Sequence, residues 1–160
     1  EYHVANNYSC PSCLKKTLIV LGNNSPSLDI LCKECDKKIE VKSKCLSVKN
    51  LPSDINLQHG NYLDYNKRQE SGLDFIVVIY SVDRINKVIN IREVLYMDDA
   101  LMKDSSIITV TKRNHSTLST IEIKDRNSPR IKKLKIKETD SFISFKKQVV
   151  DMINDHPIKS

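Results

Sequence analysis

Residues 26–44 read Pro26-Ser27-Leu28-Asp29-Ile30-Leu31-Cys32-Lys33-Glu34-Cys35-Asp36-Lys37-Lys38-Ile39-Glu40-Val41-Lys42-Ser43-Lys44, two short strands about a cysteine turn. Ser27 to Leu31, after Pro26, reads as a short strand. Lys37 to Ser43 alternates Ile39 and Val41 with Glu40 and Lys42, the period of a strand with two unlike faces. Cys32-Lys33-Glu34-Cys35 forms the turn between them. In a hairpin, paired residues keep a constant index sum, so Asp29 and Glu40, whose midpoint falls inside this turn, lie opposite one another. Glu40 and Lys42, two apart on a strand, point to the same face. Two carboxylates and an ammonium thus converge beside a pair of thiols.

A second pair, Cys10-Pro11-Ser12-Cys13, lies upstream, with residues 14–31 between the two pairs. Paired C-x-x-C knuckles at this separation are the pattern of a four-thiolate zinc site, each tight turn supplying two ligands to a tetrahedron. Two disulfides are the other reading; a lysine-rich chain with no visible secretory leader favours Zn2+. Four cysteines leave no open coordination position, so such a metal holds the fold and does no chemistry. Cys45 remains over, an idle thiol with no histidine placed near it in sequence.

Outward from this region, Leu18 to Leu21 is an apolar run closing on the turn Gly22-Asn23-Asn24. Leu46 to His59 shows no firm period and reads as a loop; Gly60 to Glu70 reads as a helix. Leu73 to Val82 is the most strongly apolar strand, an unbroken β-branched and aromatic run of the kind covered on both faces. Lys87 to Val94, Ser106 to Thr111, Leu118 to Lys124 and Ile131 to Lys137 are further strands. A helix starts near Ser141, with Phe142, Phe145, Val149 and Ile153 on one stripe. The expected class is α/β or α+β with a mixed sheet.

The chain has 160 residues, enough for one domain with a real core, and 39% hydrophobic with 29% charged residues is a globular composition. No apolar run approaches the roughly 20 residues needed to span a bilayer. Glu1-Tyr2-His3 lacks a leader pattern and reads as a trimmed start, and a cytoplasmic protein is expected. The net charge of +6 permits a polyanionic partner. Glycines are too few for a phosphate-cradling loop, and the four histidines are scattered.

Carboxylate oxygens are the hard ligands Mg2+ prefers. An Mg2+ ion held by Asp29 and Glu40 would acidify its water and offset charge on a phosphate undergoing attack, with Lys42 holding the attacking water. A solvated strand of alternating charge is the plainer reading of the same residues, and Lys33, Glu34, Asp36, Lys37 and Lys38 have that character.

Taken together, Cys10-Pro11-Ser12-Cys13, Pro26-Ser27-Leu28-Asp29, Cys32 with Cys35, and Glu40-Val41-Lys42-Ser43-Lys44 resemble the PD-(D/E)XK nucleases. In particular they resemble the DpnI and Dam-replacing family of restriction endonucleases. The likeness continues through Gly60-Asn61-Tyr62 and Lys67-Arg68 into Phe75 to Tyr80, covering about residues 8 to 82 well and the rest in outline. The resemblance implies an α/β PD-(D/E)XK restriction-endonuclease-like core with an inserted four-cysteine zinc site. It also implies a Mg2+-dependent, type II-like hydrolase of phosphodiesters in double-stranded DNA. Asp29, Glu40 and the Val41 carbonyl would bind Mg2+, and Lys42 would position water. Family members that require adenine-methylated GATC sites extend the expectation to a methylation-directed target. Residues 1–160 are expected to form a single nuclease domain without the family's C-terminal winged-helix module and with its N-terminal helix largely missing; no Trp is present to offer a flat surface to a methyl group. The alternative is a zinc-ribbon nucleic-acid-binding module without catalysis.

Arg130 to Lys137 packs five cations into a strand whose Lys133, Lys135 and Lys137 share a face; phosphate contact and a lysine-protected edge both fit. Lys112-Arg113-Asn114-His115 reads as a turn or a base-reading loop. Monomer and homodimer both remain open.

Overall fold

The computed structural model describes residues 1–21, 28–46, 49–61, 70, 72–85, 88–112 and 118–136. In chain order the elements are α1 (Tyr2–Asn7), β1 (Leu18–Val20), β2 (Ile30–Cys32), β3 (Lys38–Cys45), β4 (Ile55–Asn61), β5 (Asp74–Asp83) and β6 (Val88–Met97). A short helix α2 (Asp99–Met102) and strands β7 (Ile108–Lys112), β8 (Leu118–Ile123) and β9 (Lys132–Leu134) follow.

A mixed six-stranded sheet has the order β1-β2-β3-β5-β6-β9, and β4-β8-β7 form a three-stranded antiparallel sheet. Among the described residues of the larger sheet only β3 and β5 run parallel, with Glu40 beside Phe75 and Lys42 beside Val77. A parallel pair needs a crossover, and here the connection from β3 to β5 contains β4, which belongs to the other sheet. The β-branched run of β5 fills the middle of the larger sheet, its first residues buried on both faces as the sequence predicts.

Two apolar clusters lie on the two faces. Phe75, Val77, Ile79, Leu95 and Met97 pack with Ile55, Leu57, Ile108, Ile121 and Ile123 of the smaller sheet. Ile39, Ile76, Val94 and Tyr96 pack with Val4 and Tyr8 at the N-terminus and with Ile30, Cys10 and Cys32. Each fully buried Ile, Leu or Phe contributes about 1.5–3 kcal/mol from the removal of apolar surface from water.

Several expectations are corrected. Leu46 to His59 is not all loop: β4 begins at Ile55, with Ile55 and Leu57 buried and Asn56 between them exposed. Only two apolar residues of this strand alternate after Pro52-Ser53-Asp54, too few to stand out as a period. Gly60 and Asn61 end β4 and do not start a helix; residues 62–69 of that expected helix lie outside the described residues, as does the helix expected from Ser141. β2 and β9 are shorter than expected, and β6 continues three residues further, to Met97. The unexpected α1 is a single six-residue element held by burial of His3, Val4 and Asn7, with Asn7 Nδ2 donating to the His3 carbonyl at 2.9 Å. α2 is capped by Asp98, whose Oδ1 accepts from the Leu101 N–H at 2.8 Å. No helix among the described residues is long and apolar enough to cross a membrane.

Candidate metal centre and acidic site

The two cysteine pairs fold into knuckles with the same backbone hydrogen bonds. Cys10 N–H donates to the Lys15 carbonyl (2.8 Å) and Leu14 N–H to the Cys10 carbonyl (2.8 Å). In the second knuckle Cys32 N–H donates to Lys37 (2.9 Å) and Asp36 N–H to Cys32 (2.9 Å). Pairing of β1 with β2, which sets Leu18 opposite Cys32, brings the knuckles together. The Sγ atoms of Cys10 and Cys35 lie 3.6 Å apart, those of Cys13 and Cys32 also 3.6 Å, and all four fall within 4.8 Å of one another. A tetrahedron with Zn–S bonds of about 2.3 Å has sulfur–sulfur edges of about 3.8 Å, so these residues fit Zn2+. A disulfide needs about 2.05 Å; the four thiols are unbonded to one another, as is the exposed Cys45.

The sulfurs titrate unequally, with the Cys10 and Cys35 thiols pushed up and that of Cys32 brought down. Burial pushes the Cys10 thiol up. Burial also opposes charge on Cys32, but the Thr17 hydroxyl, 3.1 Å from its sulfur, and the backbone N–H groups of Cys35 and Glu34 prevail and bring it down to about 6. A four-thiolate metal would hold every one of these groups deprotonated and release their protons on binding.

The acidic site lies across the sheet. β2 pairs with β3 through Ile30 opposite Ile39 and Leu31 opposite Lys38, the index sum expected from the turn. Continued by one residue, that register sets Asp29 opposite Glu40. Asp29 Oδ2 accepts from the Val41 N–H at 2.7 Å, which fixes its carboxylate against β3. Glu40 is 3% exposed, and Lys42 Nζ donates to its Oε1. Ile39 and Val41 pack on the side of the metal centre and α1; by strand alternation Glu40 and Lys42 take the opposite side, with their register neighbours Phe75 and Val77. Asp29, Glu40, Val41 and Lys42 are therefore brought together, and two carboxylates beside one ammonium are a hard-oxygen donor set suited to Mg2+. Pro26 and Ser27 lie outside the described residues.

The sequence does not reveal a second buried carboxylate, Asp74. It is fully buried and accepts from the Tyr96 hydroxyl (2.7 Å), the Asp99 N–H (2.9 Å) and Lys37 Nζ (3.2 Å). Burial first, then the adjoining Asp74 carboxylate, pushes the Tyr96 hydroxyl well above its ordinary range, so it stays a donor. That hydroxyl also lies 3.3 Å from Ser12 Oγ, between the two cysteines of the first knuckle. Asp74 thus ties the metal centre to the central strand. The available signal is a lone acid at the head of an apolar run; nothing local places Tyr96 beside it.

The basic segment near β9 divides. Lys133 Nζ meets Glu93 (3.3 Å) and Asn127 (3.0 Å), while Lys132 Nζ reaches the Pro11 carbonyl at 3.5 Å. Lys137 and residues 113–115 lie outside the described residues. Arg126, nearly buried, donates to Glu93 (2.6 Å) and to the Pro52 carbonyl (2.7 Å), fastening the approach to β4 onto β6.

Comparison with curated proteins gives no match. The family model described as DpnI, Dam-replacing family, matches residues 1–156, and the chain belongs to that family.

Proposed function

We propose that the protein is a Mg2+-dependent, type II-like restriction endonuclease that hydrolyses phosphodiester bonds of double-stranded DNA, with adenine-methylated GATC-like sites as its target. The reading supposes a PD-(D/E)XK core and one zinc-containing nuclease domain. It rests on family membership, and the observation that carries it is Asp29, Glu40 and Lys42 gathered at one side of β3.

Asp29, Glu40 and the Val41 carbonyl would hold the Mg2+, which when bound supplies a more acidic water and positive charge toward the scissile phosphate. The chain's own residues prepare that place. The Val41 N–H orients the Asp29 carboxylate. Lys42, with a side chain 23% exposed, keeps its ammonium at Glu40 and near solvent, where it can hold water and offset developing negative charge on phosphate oxygens. Burial of Glu40 lowers the local dielectric and strengthens each of these charge interactions. The four cysteines hold Zn2+ as a structural ion with no open position.

The test is incubation of plasmid, methylated and unmethylated, with the protein and Mg2+, beside Glu40→Ala and a Mg2+-free control. Cleavage of methylated plasmid alone, lost in Glu40→Ala and without Mg2+, is the expected result. An intact plasmid on every methylation background overturns the enzyme reading, and DNA binding without cleavage would favour a zinc-ribbon nucleic-acid-binding module instead. Cleavage by Glu40→Ala overturns the site assignment.

A further inference from the structure

The two knuckles share their hydrogen bonds but differ at one residue. In each, the residue after the second cysteine adopts a left-handed backbone, φ 62° at Leu14 and φ 54° at Asp36. Asp tolerates that conformation; for a leucine it costs about 1–2 kcal/mol. Burial would offset such a cost, yet Leu14 is 70% exposed. The strained, solvated leucine is held on a stiff base. Four sulfurs converge beneath it, and Ser12 joins the knuckle to the Tyr96–Asp74 pair. Cations flank it in sequence and space: Lys15, ion-paired to Glu34, and the exposed Lys16 follow directly, and Lys132 Nζ lies 3.5 Å from the Pro11 carbonyl.

The geometry points to the first zinc knuckle as a second contact with duplex DNA, Leu14 making the apolar contact in a groove and Lys16 and Lys132 facing phosphates. Apolar side chains set among cations are a recurrent means of gripping a groove edge, and phosphate contacts add affinity without sequence information. A single leucine covers too little apolar area to anchor a protein on a bilayer, which favours the nucleic acid. The inference rests on the proposed nuclease reading for its partner, and gives the zinc ion a second use as the support of a binding tip.

The experiment measures affinity of the full chain for a methylated duplex without Mg2+ over a series of salt concentrations. Leu14→Gly is expected to melt no lower than the parent, since glycine accepts the backbone freely, while binding DNA about tenfold more weakly. Lys16→Ala and Lys132→Ala are each expected to reduce the slope of log affinity against log salt by about 1. Unchanged affinity in Leu14→Gly with unchanged slopes in both lysine variants overturns the inference, even if the parent cleaves DNA. Knuckle-dependent binding by a parent that never cleaves sustains it and overturns the nuclease reading alone. Leu14-dependent binding to anionic phosphatidylserine vesicles, with DNA affinity unaffected, also overturns it.

Discussion

Asp74 and Glu40 are buried carboxylates on neighbouring strands, one on each face of the six-stranded sheet. Asp74 takes donors from β6, from the start of α2 and from the loop before β3, and it sits on the side of the cysteines and α1. Glu40 lies on the side of the smaller sheet, with the Lys42 ammonium beside it and Asp29 opposite. Both are charges withdrawn from water, which is costly without partners. The partners differ in kind. Those of Asp74 include a tyrosine hydroxyl and a backbone N–H locked into elements, a set suited to holding parts together. Those of Glu40 include a half-buried lysine, with a second acid opposite, an arrangement that a cation or a phosphate can reorganise. One strand, β3, serves both faces because Ile39 and Val41 alternate with Glu40 and Lys42.

The contrast can be broken from either side, and removal of the metal is expected to do most. Cys32→Ala should lower stability by about 4 kcal/mol or more, because the second knuckle is also the turn that aligns β2 with β3. Chelation of the wild type should shift a thermal melt in the same direction; a metal-free protein as stable as the metallated one would sink this account. Glu40→Gln should lower cleavage at least about 10³-fold, equivalent to about 4 kcal/mol in the barrier, while changing stability by less than about 1 kcal/mol. Asp74→Asn should reverse that split. It sets an amide N–H2 among groups that donate, so a loss of about 2–3 kcal/mol is expected in denaturant unfolding, with zinc released faster to a colorimetric chelator. Equal stability losses in the two variants would erase the distinction between the faces.

The smallest expected effect is a pH dependence at α1. Burial holds the His3 imidazole below its ordinary value, and its Nδ1 lies 3.2 Å from Asn7 Nδ2, from which a neutral ring can accept a hydrogen bond. The folded state therefore disfavours the protonated ring. Its contribution is complete above about pH 6.5, the unfolded value, and is lost as pH falls through the lower folded value. A melt series from pH 8 to 5 should show this loss, and His3→Gln should flatten it; identical pH profiles would remove His3 from the account.

Local pattern carries a good part of this architecture. The Cys32–Cys35 turn fixes the register of β2 on β3, and the unbroken Phe75–Tyr80 run marks the central strand, because both signals lie within a few residues. The smaller sheet is less legible. Ile55 and Leu57 acquire meaning only when Ile121 and Ile123 arrive opposite them, and no short window contains both. Asp74 is hidden for the same reason, since its identity as a tie depends on Tyr96 and Asp99. Leu14 is visible as a residue but not as an anomaly: only the backbone shows that it occupies a position glycine would fill at no cost.

The placement of β4 also orders the birth of the molecule. Emerging N-terminus first, the chain delivers both knuckles, β1, β2 and β3 before β4, with partners close by in sequence, so this portion can take up its ion while synthesis continues. β4 follows but has no partner until β8 leaves the ribosome, when Ile55 meets Ile123. The apolar side of β5 stays uncovered through that interval, and long-range pairing of this kind is the slow part of folding. A nascent chain therefore carries its acids on an unfinished face until β8 has been made.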